Sequence, residues 1–435
     1  MIKYLGSKRR LVPVLSEICR SACARTALDL FTGTTRVAQA FKAQGVHVTA
    51  VDSARYAHVF AQTYVEADAA STDVGALEAA VASLNARPGV DGYVTEMFSR
   101  QARYFQPHNA ARIDAVREAI EREFAGSAQH PLLLTSLIEA ADRVDSTTGL
   151  QMAYVKQWAP RSFNPLALRV PLLVEGRGRA VKGDAVELAP SLGHFDLAYL
   201  DPPYNQHRYF TNYHVWETLI AWDEPEAYGV ARKRVDARDP ATHSVFNSKR
   251  TMPGALAAVV GSVDCDLLVL SYNDEAWLAL DELEAMCAQP GPGGGAPRAV
   301  ATLAFDSARY VGARIGIFDP SGRKVGRVSH VSNQELLVIA GEADLVRRVV
   351  DAARSADSAP RRGVPHTGRD GMGDAPTVDR LQQATGARTI TVATTRATMT
   401  TASPASRTAT SRSVSPKTKR QNASAGRSGA CFTSG

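Results

Sequence analysis

The run Phe195-Asp196-Leu197-Ala198-Tyr199-Leu200 leads directly into Asp201-Pro202-Pro203-Tyr204, and no other stretch constrains the fold as strongly. A short, mostly apolar run of this kind predicts a buried strand. Two consecutive prolines have no N–H to offer a ladder, so the strand has to stop at Asp201. In an open parallel sheet the carboxyl ends of the strands border the ligand crevice. Asp201, the Pro202 carbonyl and the Tyr204 ring are therefore expected at that edge, stiffened by Pro202 and Pro203. An acid and a carbonyl accept the two N–H bonds of an exocyclic amino group, and a ring stacks on a planar face. The set suits a flat, amino-bearing base. A proline turn carrying a solvated Asp and a surface Tyr is the plain alternative.

Earlier in the chain, Thr26 to Leu30 reads as a strand, followed by the turn Phe31-Thr-Gly33-Thr-Thr35 and a helix through Val37, Ala40 and Phe41. A second strand, Val46 to Val51, ends in Asp52. Strand, glycine turn, helix, strand and acid make the first unit of a nucleotide-binding α/β fold, and an acid at this place suits ribose hydroxyls. The turn has no G-x-G-x-x-G, which argues against a dinucleotide and its pyrophosphate. The basic opening Lys3-Tyr4-Leu-Gly-Ser-Lys8-Arg-Arg reads either as a solvated arm or as a loop offering Lys8 to an anion and Tyr4 to a flat group. Val181-Lys-Gly183-Asp184 is a further strand end with a turn.

Residues 68–180 read mostly as helix inserted between strands. The aromatic and basic end of this segment, Tyr154 to Arg169, offers Lys156 and Arg161 to nucleic acid or else forms a packing edge. After Tyr204 come Arg208 and a charged, turn-rich segment ending in Lys249 and Arg250, either a phosphate clamp or a solvated surface. Cys265 to Asn273 is the next buried strand. Tyr310 to Ile339 alternates around turns at Asp319-Pro-Ser-Gly322 and Ser332-Asn333, as antiparallel strands closing a sheet edge do. Beyond about Val350, Ser, Thr, Ala, Arg and Pro dominate, a composition with no core to form.

The net charge of +6 points toward nucleic acid only until it is located. From Arg347 onward there are 15 Lys or Arg against 5 Asp or Glu. The part before Arg347 is therefore slightly acidic, and a DNA-binding surface has to be a local cluster. Five cysteines show neither paired spacing nor a metal-ligand pattern, so no metal is expected. The sequence has no membrane-length apolar run and no signal-peptide core, which leads to the expectation of a cytoplasmic protein.

These motifs, in this order, resemble the Dam-like alpha group of DNA adenine methyltransferases. Lys3-Tyr-Leu-Gly-Ser-Lys8 is similar to their N-terminal cofactor motif, Asp29-Leu-Phe-Thr-Gly33 to their F-x-G-x-G element, and Asp201-Pro-Pro-Tyr204 to their D-P-P-Y. The second glycine of F-x-G-x-G is Thr35 here, whose Cβ would crowd a cofactor if the turn needs positive φ. The resemblance covers roughly residues 1 to 340. It implies a Rossmann-like methyltransferase sheet, a helical insertion for target recognition and antiparallel C-terminal strands. In chain order that gives a cofactor-binding half (1–67), the insertion (68–180), a catalytic half (181–345) and a basic disordered tail (346–435).

It implies S-adenosylmethionine held by Tyr4, Lys8, Phe31, Gly33, Asp52 and Asp184, with Lys8 on the methionine carboxylate. Asp201, Pro202, Pro203 and Tyr204 would hold an adenine flipped out of double-stranded DNA. A cognate restriction endonuclease acting on the same site, and residence at the nucleoid, follow from the same likeness. Transfer to the cytosine N4 amino group, transfer to adenine in RNA, and a catalytically silent DNA-binding homologue stay open at this point.

Overall fold

A computed structural model describes residues 2–6, 8–155, 157–274, 276–308, 317–318, 324–326 and 332–358, all within one compact unit. One seven-stranded sheet is built from β1 (Thr26–Leu30), β2 (His47–Asp52), β3 (Arg179–Lys182), β4 (His194–Leu200), β5 (Asp264–Asn273), β6 (Ala299–Ala308) and β7 (Ser332–Gly341). Its order is β3-β2-β1-β4-β5-β7-β6. The first five strands pair in parallel, and β7 runs antiparallel to both β5 and β6. The architecture is thus the expected α/β one with an antiparallel C-terminal edge.

The chain leaves β1 toward β2 and β3 on one side, then returns to place β4 on the other. The reversal between β1 and β4 is where an open α/β sheet opens its crevice. β4 ends at Leu200, as Pro202 and Pro203 require. It is buried on both faces because helices cover both. Leu197 and Tyr199 join the core under the helices Val12–Ser21 and Arg36–Lys42, whereas Ala198 and Leu200 join the core under Met252–Ser262 and Leu280–Cys287.

Between β2 and β3, the helices Arg55–Ala61, Val74–Ala86, Pro107–Phe124 and His130–Val144 share a third core. Tyr213, Val215, Trp216 and Leu219, which follow the Asp201 corner in sequence, complete that core. The helical layer is therefore not one chain segment.

Three expectations change. The helical character expected over most of 68–180, with a break after Gly149, ends earlier, at Val144, and from there to β3 the chain is irregular apart from the turn Pro160–Phe163. Asparagines take the place of a backbone ladder there. Asn109 donates to the carbonyls of Ser162 (3.0 Å) and Asn164 (2.9 Å), and Asn85 donates to that of Leu168 (3.0 Å). Second, Ser332-Asn333 begins β7 instead of forming a turn, while the Asp319–Gly322 turn and Tyr310 lie outside the described residues.

Third, the tail does not start at residue 346. Ala343–Ser358 is a helix whose Val346, Val349, Val350 and Ala353 bury one face among Leu15, Ile18 and their neighbours. Spacing of i, i+3, i+4 and i+7 makes that apolar stripe, which averaged composition hides.

Candidate active site

The β1 tip folds back on itself through three residues with left-handed backbone: Phe31 (φ 71°), Gly33 (φ 51°) and Thr35 (φ 60°). The N–H groups of Phe31 and Thr32 both donate to the Val51 carbonyl at 3.0 Å, fastening the loop to β2. Asp52 braces it: one carboxylate oxygen accepts from Gly33 N and the other from Ala54 N, each at 2.9 Å. Burial pushes the Asp52 carboxyl upward, and the N–H bonds from Ala54, Gly33 and Ser53 pull it back.

A Cβ at Gly33 would stand 3.1 Å from the Tyr4 ring. Tyr4 in turn stacks on Tyr213 (4.8 Å between centroids) and shares a hydroxyl contact of 3.2 Å with Tyr56. Thr35 does adopt the positive φ that a glycine would relieve. It is fully buried, with its hydroxyl bonded to the Thr34 carbonyl and Gln39, and it takes no part in the cavity wall.

At the neighbouring β4 tip, Leu200 pairs with Leu30, and the Asp201 N–H reaches the Leu30 carbonyl at 3.4 Å. Asp201 and Phe31 are therefore adjacent by register. Lys8, only 6% exposed, sets its ammonium 3.1 Å from Asp201 Oδ1 and 2.9 Å from Glu335 Oε2. Burial alone would lower the Lys8 pKa, but Asp201 and Glu335 outweigh it and hold it well above its usual value. Burial pushes Asp201 up to about 6, with Lys8 opposing and Glu335 adding to the rise. Tyr204 rests on Tyr272 (5.3 Å between centroids), with the Lys8 ammonium 5.7 Å above its ring. Pro202 is buried.

One cavity of about 550 Å³ spans both tips, a size within the usual ~300–1,000 Å³ of small-molecule sites. Tyr4, Phe31, Asp52 and Asp184 line it together with Asp201 and Pro203, so the two predicted halves meet in one space. Asp184 also caps the short helix Ala185–Leu188 through Val186 N at 2.8 Å. Gly33, Lys8, Pro202 and Tyr204 stand outside the wall, Gly33 beneath Tyr4 and Lys8 behind Asp201.

Lys8, expected to meet a methionine carboxylate, has its ammonium shared between two acids, Asp201 and Glu335. The rest of the wall offers the Phe31 ring as a flat apolar face and Asp52 as a carboxylate. The carboxylates of Asp52, Asp184 and Glu217 suit a ligand carrying positive charge. Glu217 is pushed up to about 7 by burial, countered by Arg55, whose N–H it accepts at 2.8 Å.

Of the predicted nucleic-acid contacts, Arg208 lies at the cavity and donates to His243 Nε2 at 2.8 Å. Lys249 and Arg250 are exposed, and Lys156 lies outside the described residues. Arg161 is not free for phosphate: it is bound to Asp145 Oδ1 (2.6 Å) and the Thr147 carbonyl (2.5 Å). Glu335, Tyr209, Tyr213 and Glu217 escaped sequence reading. None sits in a motif: Tyr209 and Tyr213 belong to a segment rich in polar and aromatic residues after Tyr204, and Glu335 follows the polar start Ser332-Asn333-Gln334 of β7.

At the far end of the sheet, His194, Asp196 and Asp266 each bring a ligand-type atom within 4.8 Å of the others. Asp196 is engaged there by the N–H groups of Arg25 and Thr26, and His194 by Asp264.

A family model described as D12 class N6 adenine-specific DNA methyltransferase matches residues 4–286. The chain is 28% identical over 300 residues to the modification methylase StsI of Streptococcus sanguinis, covering 65% of this chain and 45% of that one. It is 28% identical over 297 residues to the type II methyltransferase M.NlaIII of Neisseria lactamica, covering 65% and 86%. For M.FokI of Planomicrobium okeanokoites the figures are 26% over 312 residues, 67% and 47%. The chain thus spans about half the length of the StsI and FokI methylases.

Proposed function

Because the chain belongs to the D12 class N6 adenine-specific DNA methyltransferase family, we propose that it methylates the exocyclic N6 amino group of adenine in double-stranded DNA. S-adenosylmethionine, the donor that a methyltransferase family implies, supplies a methyl group on a sulfonium. The observation that carries the reading is the single cavity walled by Phe31 and Asp52 at one tip and by Asp201 and Pro203 at the next.

A target base inside a duplex cannot reach that cavity, so it has to be flipped out, at about a few kcal/mol. Asp201 and the Pro202 carbonyl then accept the two amino N–H bonds, and Tyr204, bordering the same corner, gives the base a stacking face. The amino nitrogen is a poor nucleophile because its lone pair is delocalised into the ring. Two acceptors favour a pyramidal nitrogen and localise that pair. Their bonds strengthen as the nitrogen gains positive charge, so the stabilisation is greatest in the transition state.

At the other tip, Asp52 accepts ribose hydroxyls, with Tyr4, Phe31 and Asp184 shaping the rest of the donor site. The helical layer between β2 and β3 reads the target sequence, with Arg208, Lys249 and Arg250 on phosphates. Relatives named a modification methylase and type II methyltransferases support a place as the modification half of a restriction–modification pair; a cognate endonuclease acting on the same site and residence at the nucleoid are part of the same proposal.

Labelled methyl donor incubated with unmethylated DNA tests the reading. Label is expected in N6-methyladenine for the intact chain and absent for Asp201→Ala. Label in N4-methylcytosine, or in RNA alone, would replace the substrate assignment. DNA retention without label would leave a silent binder.

A further inference from the structure

Glu335 is a partly buried acid with no counterpart in the motifs. It belongs to β7, paired with Asn273 of β5 on one side and Phe305 of β6 on the other, so its backbone is fixed from both edges. It also lies beyond residues 4–286, the part that the family model matches. Its carboxylate reaches Lys8 Nζ at 2.9 Å, and the same ammonium stands 3.1 Å from Asp201 Oδ1. Among the described residues no hydrogen bond is made to Asp201 Oδ2, and Asp201 lines the cavity. The carboxylate is thus divided, one oxygen held by Lys8 and the other left to accept.

We propose that Glu335 is a positioning residue for methyl transfer: by taking part of the Lys8 charge it holds the ammonium on Asp201 Oδ1 while keeping Asp201 a strong acceptor at Oδ2. The proposal rests on the reading of Asp201 as the acceptor of the target amino group. A lysine paired with Asp201 alone would draw the carboxylate charge to itself and weaken the bond that grows in the transition state. A lysine shared between two acids fixes the geometry without quenching that charge.

Asp201 is faced by Lys8 from the N-terminal turn, Glu335 from β7, Asp29 from β1, Tyr199 and Tyr204 from its own strand and corner, and Tyr209 from the following helix. Of these, Lys8 and Glu335 act on it most strongly, in opposite directions.

The test is Glu335→Gln in the full chain, read in two ways. In the first, the Asp201 carboxyl carbon is titrated by NMR without DNA. The parent midpoint is expected near 6, and removing the Glu335 charge moves it down by about one pH unit. In the second, single-turnover methylation is followed across pH. The acid limb shifts with the midpoint, and kcat on the plateau falls roughly tenfold while KM for DNA holds.

A merely structural Glu335 would lower the melting temperature and leave midpoint and acid limb unmoved, which would overturn the proposal. Glu335→Asp keeps the charge on a shorter arm and should fall between parent and Glu335→Gln. If Glu335→Gln does not fold, an Asp variant with the parent midpoint refutes the proposal in its place. A parent that titrates as stated yet methylates no DNA would sink the proposed function and leave the charge sharing intact. A parent that methylates, with an unmoved midpoint in Glu335→Gln, would sink the sharing alone.

Discussion

Replacing Lys8 with methionine keeps the unbranched stem and removes the cation between two acids. At 3.1 Å, and with an effective dielectric of about 20, the Lys8–Asp201 attraction is about 5 kcal/mol gross. Contacts of 3.1 and 2.9 Å to one nitrogen leave the Asp201 and Glu335 oxygens no more than about 6 Å apart, so their unscreened repulsion is about 3 kcal/mol. Relaxation and water entry recover much of this, and a net rise of about two pH units is expected for Asp201.

Starting near 6, the carboxyl of Lys8→Met then stays protonated at neutral pH and loses acceptor strength. About three quarters of the variant is then protonated at pH 7.5, so transfer there should fall about fourfold and return as pH is raised by about two units. Stability follows the same sign. A carboxyl whose folded pKa is raised above its unfolded value stabilises the fold while protonated and loses that contribution as pH rises through the folded pKa. Lys8→Met should therefore be closest to parent stability near pH 5 and fall furthest behind above pH 8. Single-turnover transfer of labelled methyl across pH 6 to 9.5, with near-ultraviolet circular dichroism as a fold check, measures both. An acid limb coinciding with that of the parent would refute the reasoning.

Gly33→Ala sets a Cβ at 3.1 Å from the Tyr4 ring in a left-handed backbone. It should weaken donor binding, measured by equilibrium dialysis, and cost about 1–2 kcal/mol of stability. Asp29, buried and pushed up to about 7 chiefly by burial, accepts from Thr32 Oγ1 and Ala38 N. Its contribution is complete below the ordinary carboxylate pKa near 4 and is lost as pH rises through about 7. Asp29→Asn should therefore raise the melting temperature at pH 8 more than at pH 5. Arg250→Ala should reduce the salt dependence of DNA binding by about one counterion. Arg161→Ala, which strips the buried Asp145 of its guanidinium, should lower the melting temperature and leave that slope unchanged.

Much of the site was legible because its elements are local. Two prolines end a strand wherever they stand, and Asp201 had to sit at a strand tip. The order strand, glycine turn, helix, strand and acid placed Phe31 and Asp52 in the same way. The helix Ala343–Ser358 was equally local, yet its stripe of four small apolar residues was submerged in a polar, basic composition.

Other features have no local signature. Lys8 and Glu335 are 327 residues apart, and no spacing rule joins them. Only the antiparallel entry of β7 between β5 and β6 brings Glu335 beneath the Asp201 corner. Arg161 looked like a free cation because sequence shows a charge but not its partner, and Asp145 became that partner only when the irregular chain after Val144 folded back. Residue types and strand ends were decided by the order of amino acids. The partner of each buried charge was decided by the strand order of the sheet, because ion pairing depends on distance in space and not on distance along the chain.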